Sequence, residues 1–339
     1  MLKMNKITRL LTVLPTSLCL WAQDIFVGEL DKKDEKPDDC ASEDRRIPIG
    51  GQAVIEGVLM KGPRQWGLAV RQPNGEIFKD RWLSSSRTKS YPWKLPVLRG
   101  VVTMVEMLGV GFRALEKSAK VALEETEEEL TKKDMFIVVC VAVAAVVGLF
   151  IALPMWLGEF AARSLTLSVT ARNVLEGVAR GVVFVSYVAC IGLFKDIQQV
   201  FKYHGAEHKT INAYEKADKE NNNGDSCEAS LMPDTIINES RIHPRCGTSF
   251  LLVAILIGIA VFSVIGKGGF LWRVGSRVTL LPLVIGVSYE LIRLVSRSGF
   301  IGRLLMSPML SLQYITTREP DLRQVEVALT SLNVALERE

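Results

Sequence analysis

Long runs of apolar residues alternate with polar segments between residues 132 and 310. The strongest run carries no charged residue, and a helix of about 20 apolar residues is long enough to cross a bilayer. The pattern predicts four membrane-spanning helices, at Met135–Leu157, Val178–Phe194, Phe250–Ile265 and Val278–Val295. The segments 158–177 and 266–277 are then predicted to be short loops on one face of the membrane.

A different pattern, of short apolar stretches between glycines and prolines, covers residues 47–95 and predicts a small β-rich domain. The glycine-rich stretch Gly50–Pro63 opens it. Leu68–Arg71 and Glu76–Trp82 predict the two strands of a hairpin, because Pro73-Asn74-Gly75 between them places a glycine where a turn needs a positive φ.

Residues 96–131 contain a helical pattern from Pro96 to Leu123, which Arg99 and Glu106 make too polar for a first-choice span. An interfacial or partly buried helix is therefore predicted. In the C-terminal tail, residues 311–339, the pattern of Pro320–Glu339 predicts a short amphipathic helix.

The N-terminal extension, residues 1–46, is open to two interpretations. Lys3, Lys6 and Arg9 precede the apolar stretch Leu10–Trp21, as in a signal peptide. A disordered or loosely membrane-associated terminus fits the same residues, since Pro15 interrupts the apolar stretch and a charged linker follows it.

Taken together, these patterns predict a mainly α membrane protein with about four transmembrane helices, an interfacial helix and a small β-rich N-terminal domain. The composition agrees, with 48% hydrophobic residues. The net charge is only +4 and acidic residues are interleaved with basic ones, so no nucleic-acid partner is expected. Membrane lipids are the expected partners, and a homo-oligomer or other membrane proteins stay open.

The distribution of basic residues predicts the orientation in the membrane. They are more numerous around the ends of the spans that adjoin the segment 197–248 than on the opposite face. Because basic loops stay on the cytoplasmic side, the N-terminal domain, this segment and the tail are predicted to be cytoplasmic, at a bacterial inner membrane. The six cysteines form no CxxC pair, in keeping with a reducing compartment for the polar face.

Candidate chemistry is concentrated in the segment 197–248, which contains all three histidines of the chain. His204, Glu207 and His208 form an H-x-x-E-H pattern. On a helix the two histidines share one face and can bind one ion. Glu207, as in the inverted zincins, is then placed to act as the general base toward water. A divalent metal, with zinc as the expected ion, is therefore the predicted cofactor.

How the metal site is completed remains open at this point. His243 and Cys246 are suitable zinc ligands three residues apart, and with the two upstream histidines they would form a closed, structural site. Three bound ligands would leave an open, catalytic position. Glu290, inside the last predicted span, is a candidate carboxylate ligand, or it pairs with Arg293 near the helix end. Without a metal, the histidines would only hydrogen-bond headgroups or backbone.

Four motifs resemble the bacterial DUF1385 family of YqhQ-like proteins, described as predicted metal-dependent membrane proteins. The motifs are GGQAVIEGVLMKGP (50–63), YHGAEHKTINAYE (203–215), HPRCGTSFL (243–251) and SYELIRL (288–294). The resemblance covers roughly residues 47–325 and leaves out the polar insert Lys219–Glu228. It implies a multi-span inner-membrane protein, with the matching motif positions at His204, Glu207, His208, His243 and Cys246.

Three classes of function follow from these predictions. The first is a metal-dependent enzyme, most simply a hydrolase, with His204 and His208 binding the ion, His243 or Cys246 as the third ligand, and Glu207 as general base. The second is a scaffold or assembly factor in which the metal is structural. The third is a transporter using the charged residues of the spans, although no internal repeat supports it.

Overall fold

The structure is a computed structural model that describes residues 49–84, 86–122, 132–221, 231–243, 246–265, 268–296, 307 and 310–337. The predicted N-terminal extension, residues 1–46, lies outside this described part. The described residues are mainly helical, with one small sheet at their N-terminal end.

The sheet contains four antiparallel strands in sequence order, β1 (Gly50–Val54), β2 (Gly57–Lys61), β3 (Gln65–Arg71) and β4 (Ile77–Leu83). The predicted hairpin is confirmed: Arg71 pairs with Ile77 at its closed end. Gly75 has a φ of +90°, a conformation that favours glycine. The small β-rich N-terminal unit is thus present.

The helices follow the sheet in the chain. After a 3₁₀ turn at Arg87–Lys89 they are α1 (Leu98–Ala122), α2 (Lys132–Val147), a π-helical segment at Gly148–Ala152, α3 (Leu153–Leu165), α4 (Val169–Ile191), α5 (Lys195–Asn221), α6 (Pro233–Ile236), α7 (Thr248–Ser263), α8 (Phe270–Ser296), α9 (residues 310–316) and α10 (Leu322–Ala335).

Three stretches of helix within the described residues are long and apolar enough to cross a membrane. They are Cys140–Leu165, Val169–Ile191 and Leu271–Val295, and Phe250–Ser263 is a shorter apolar helix beside them. The predicted mainly α membrane fold is confirmed at this level, with three full-length spans and one short apolar helix.

The predicted loops at 158–177 and 266–277 are wrong in most of their length. Helix continues on both sides of residues 166–168, and α8 already begins at Phe270. The charged residues of these segments had ended the apolar runs in the sequence. In the fold they pair with one another across helices, as Glu176 does with Arg273 and Arg277, so the helices continue despite their charges.

The sheet is covered by helices on both faces. On one face, α5 and α10 share a core with it that contains Met60, Tyr203 and Leu332. On the other face, Met107 and Ala114 of α1 pack against the sheet. The predicted C-terminal helix is therefore present and forms part of this core. Ser331 Oγ donates a hydrogen bond of 2.9 Å to the carbonyl of Gly67 in β3.

Helix α1 joins this covered sheet to the membrane helices. Its first turns pack on α8, where a side chain at Gly100 would lie 2.5 Å from the Cβ of Tyr289. At the same crossing, the Glu290 carboxylate accepts hydrogen bonds from the Arg99 guanidinium at 2.7 Å and from the amide of Val97 at 3.3 Å. The helix thus bridges the two parts of the fold, which positions the sheet beside the polar end of the membrane bundle.

Candidate metal centre

Helix α5 carries the two histidines of the H-x-x-E-H pattern into the interior. His204 and His208 lie one turn apart, with ring centroids 4.4 Å apart, and each is only 1% exposed. They are buried because neighbouring apolar residues of α5, including Tyr203 and Ala206, pack into the core against the sheet. The two imidazoles therefore lie on one face of the helix, as predicted.

Each imidazole is oriented by a backbone carbonyl from another segment. His204 Nδ1 lies 2.9 Å from the carbonyl oxygen of Thr316, and His208 Nδ1 lies 2.7 Å from that of Arg241. A carbonyl only accepts, so Nδ1 is the protonated nitrogen in both rings and Nε2 carries the lone pair. This arrangement is typical of metal-ligating histidines, whose second nitrogen is fixed by an outer partner.

Cys246 completes a cluster with these two histidines, called here the His/Cys cluster. Its sulfur lies 3.5 Å from His204 Nε2, and the ligand atoms of the three residues all lie within 4.8 Å of one another. All three side chains are buried. Two imidazole nitrogens and a thiolate match the donors that zinc takes in proteins, so the cluster could hold a metal ion.

The electrostatics of the site favour the neutral form of His208. Burial lowers the pKa of His208 well below its usual value, and the nearby His204 and His243 lower it further. The carbonyl of Arg241 acts in the opposite direction. Only the neutral form can donate a lone pair to a metal, so the protein environment keeps His208 in the form a ligand needs.

His243 lies beside the cluster without belonging to it. Its ring centroid is 5.8 Å from that of His208, and its Nε2 lies 3.4 Å from a carboxylate oxygen of Glu215. The main chain of His243 is held on both sides by Gln313: its amide donates to Gln313 Oε1 at 2.9 Å, and its carbonyl accepts from Gln313 Nε2 at 2.8 Å. The predicted fourth ligand is thus brought to the wall of the site.

The two predicted carboxylates are placed differently. Glu207 is 2% exposed and its side chain lies against strand β1, since a Cβ at Gly51 would be 2.8 Å from Glu207 Oε1. Glu290 lies on α8 in the bridge to Arg99. Glu290 is therefore not part of the His/Cys cluster, and its main partner is Arg99 of α1 rather than the Arg293 of its own helix.

Several residues of the site were not predicted from the sequence. The carbonyls of Arg241 and Thr316 orient the imidazoles, and a carbonyl is independent of residue type. Gln313 and Glu215 hold His243, and Glu215 could have been singled out because it ends the motif that contains His204 and His208. Their roles depend on the packing of distant segments.

At Gly205, helix α5 passes close to the segment that orients His204. An added Cβ would overlap the carbonyl oxygen of Arg318, while the Arg318 amide donates to the Phe201 carbonyl at 2.9 Å. We expect Gly205→Ala to displace this segment, including Thr316, and to weaken metal binding at least tenfold. Metal titration of the purified variant measures this.

The matched control for Gly205→Ala is Gly109→Ala in α1, where an added Cβ meets no atom within 4 Å. This control is expected to leave metal affinity unchanged and to stabilise the helix slightly, since alanine is the better helix former. Equal affinities in the two variants would show that the position of the 316–318 segment does not govern the site.

The known proteins to which this chain is similar are themselves of unknown function. The model of a family described as a protein of unknown function, DUF1385, matches residues 95–338. An uncharacterized protein, YqhQ, of Bacillus subtilis (strain 168) is 31% identical over 306 residues, which cover 86% of this chain and 92% of that protein. No solved structure matches the chain.

Proposed function

The chain belongs to the DUF1385 family of proteins of unknown function, and from this premise we propose that it is a metal-dependent membrane hydrolase. The observation that supports the proposal is the convergence of His204, His208 and Cys246 within 4.8 Å. Catalytic zinc sites typically use three protein ligands and keep a further position open. We therefore propose a divalent metal, zinc first, at these three residues.

The residues around the cluster suit general acid–base work. A bound divalent ion would supply Lewis acidity toward water and a polarised substrate oxygen. Glu207 precedes His208 in the chain, and its buried carboxylate is the proposed general base. His243 and Glu215, at 3.4 Å from each other, form a second pair able to hold or pass a proton.

A structural role of the metal is the second candidate, and the burial of the site favours it. The ligands and their anchors come from α5, from Arg241 and Cys246, and from α9. An ion here would hold these three segments together beneath the sheet, as structural zinc sites do. In this case His243, whose ring centroid lies 5.8 Å from that of His208, would move to become the fourth ligand.

Zinc-edge X-ray absorption of the purified protein separates the two candidates. One sulfur and two imidazole rings, unchanged by His243→Ala, support the open, catalytic site. One sulfur and three imidazole rings, with one ring lost in His243→Ala, support the closed, structural site. A protein that binds no transition metal after reconstitution contradicts both.

Glu207→Gln tests the base assignment directly. The variant keeps the shape of the side chain but cannot take a proton, so we expect unchanged metal content and a loss of hydrolysis of about 10²–10⁴-fold. The measurement is turnover on a panel of ester, phosphoester and peptide substrates, with Lys216→Ala on the exposed side of α5 as control. Loss of both metal and fold in Glu207→Gln would assign the residue to structure.

We also propose that the metal centre faces the cytoplasm at a bacterial inner membrane. The support is the excess of basic residues around the ends of the helices nearest to the site. Lys216→Cys provides the test, with wild type as background. Labelling by a membrane-impermeant maleimide only after lysis agrees with this orientation, whereas labelling in intact cells reverses it.

A further inference from the structure

A second group of charges, buried or partly buried, lies at the other end of the membrane helices. Four guanidinium groups, those of Arg172, Arg180, Arg273 and Arg277, surround the carboxylates of Glu159 and Glu176. We call these four residues the arginine cluster. Helix α4 runs from this end, where Glu176 lies, toward α5 and the His/Cys cluster. The 15 residue steps from Glu176 to Ile191 give a rise of about 22 Å at 1.5 Å per residue.

Glu176 is the centre of the group. It is 1% exposed, and its two oxygens accept bonds from Arg273 at 2.7 Å, from Arg277 at 2.9 Å and from Arg180 at 3.1 Å. Arg180 is held from the other side by the carbonyl of Phe150 in the π-helical segment, 2.9 Å from Arg180 Nε. The arrangement is therefore built by three helices and the π segment rather than by one exposed surface.

The group has more positive than negative charge. Its four guanidinium groups against two carboxylates leave a net charge of +2. The stretches of helix around the group offer no further acid, because Glu159 and Glu176 are the only acidic residues from 135 to 195 and the chain has none from 246 to 289. An unneutralised cation in a low-dielectric setting is costly, so the missing negative charge must come from outside these helices.

Two N–H groups of the arginine cluster also indicate that an anion is missing from the group. The Nε atoms of Arg172 and Arg273 are buried and have no hydrogen-bond acceptor in the described part of the chain. Arg273 as a whole is only 6% exposed. Buried donors are almost always satisfied, and an oxyanion with several acceptor atoms would satisfy both donors and the charge together.

The depth of the cluster matches the polar border of the bilayer. Glu176 and Arg277 each lie seven residues inside their helices, about 10 Å from the helix start at 1.5 Å per residue. Large aromatic residues face outward on either side of this level: Trp156, three residues before Glu159, is 62% exposed, and Trp272, five residues before Arg277, is 60% exposed. Tryptophan is enriched where the hydrocarbon meets the headgroups. The oxyanions found at that level are phosphates.

We propose that the arginine cluster binds a phosphate group at the membrane border opposite to the metal centre. Planar guanidinium groups recognise phosphate oxygens through paired N–H donors. The phosphate can belong to an anionic lipid headgroup or to a small soluble compound, and both would present the same oxygens to Arg172 and Arg273. The site is independent of the proposed hydrolase.

Titration of the full-length protein in detergent tests the proposal. The probes are phosphatidylglycerol, zwitterionic phosphatidylcholine and inorganic phosphate, and the readouts are native mass spectrometry and the shift in thermal unfolding. We expect saturable binding of phosphatidylglycerol at least tenfold tighter than of phosphatidylcholine. Tighter binding of inorganic phosphate than of either lipid would support the site with a soluble phosphate as its occupant.

Arg172→Gln and Arg163→Gln form a matched pair for this titration. Both arginines contact Glu159, but the Arg163 side chain is 80% exposed whereas that of Arg172 is 16% exposed. Arg172→Gln leaves the bonds of Glu176 in place, so the fold is retained. It should weaken binding of the preferred phosphate at least tenfold, and Arg163→Gln should not. Equal binding by wild type and both variants, or no saturable binding by any of the probes, overturns the proposal.

Discussion

Replacing His204 and His208 by alanine together is expected to reduce bound zinc from about one ion per chain to less than a tenth of that value. Both Nε2 atoms of the His/Cys cluster are then lost and only Cys246 remains. A single thiolate does not hold zinc against buffer ligands. Elemental analysis of the purified membrane protein measures the effect.

The same double variant should also be less stable. A ligand present at about a thousand times its Kd stabilises the native state by about 4 kcal/mol, and that contribution disappears with the site. The expected result is a lower unfolding temperature that added zinc no longer raises. In wild type, a strong chelator should produce the same decrease reversibly.

Lys216→Ala is the control for the histidine variants. It changes an exposed residue of the same helix, whose ion pair with Glu239 lies at the surface and contributes little. Wild-type metal content is expected for it. If the double histidine variant and Lys216→Ala both carried a full equivalent of zinc, the ion would be bound elsewhere and the metal centre would have to be abandoned.

The site shows which parts of a binding centre can be predicted from a sequence. The spacing of His204 and His208 fixes their common face once the segment is helical, because helical geometry is local. Cys246 could be suspected as a further ligand from its residue type alone. That Glu290 lies outside the His/Cys cluster could not be predicted, since it depends on how α1 crosses α8 and brings Arg99 to the Glu290 carboxylate. Residue type identifies candidate ligands, whereas packing selects among them.

For the membrane helices, the sequence predicts the position of each span but not where the helix ends. Apolar runs locate the hydrocarbon-facing part of a span, and these predictions overlap the observed helices. They end too early wherever a charge occurs, because a sequence window cannot show that Glu176 and Arg273 neutralise each other across two helices. The pair Glu176–Arg180 was predictable since it lies one turn apart in a single helix. Helical segments whose charges pair with residues far away in the chain are therefore wrongly predicted to be loops.

Glu176→Gln is expected to destabilise the membrane bundle by about 3–5 kcal/mol, the usual cost of removing one partner from a buried ion pair. Arg180, Arg273 and Arg277 would lose the carboxylate that they share, and Arg273 and Arg277 are nearly fully buried. Amounts of folded protein in the membrane and the unfolding temperature in detergent measure the loss. Glu159→Gln should cost less, since the Glu159 side chain is 33% exposed.

A compensating variant distinguishes charge from packing as the cause of this loss. Glu176→Gln/Arg277→Gln removes one charge of each sign, so it should recover a substantial part of the stability that Glu176→Gln loses. A loss caused by packing would instead persist or grow in the double variant, because Arg277→Gln restores no contact at position 176. Glutamine has almost the same volume as glutamate, so Glu176→Gln itself changes mainly the charge. Wild-type stability of Glu176→Gln alone would mean that water reaches the arginines, and then neither their burial nor their need for an anion could be maintained.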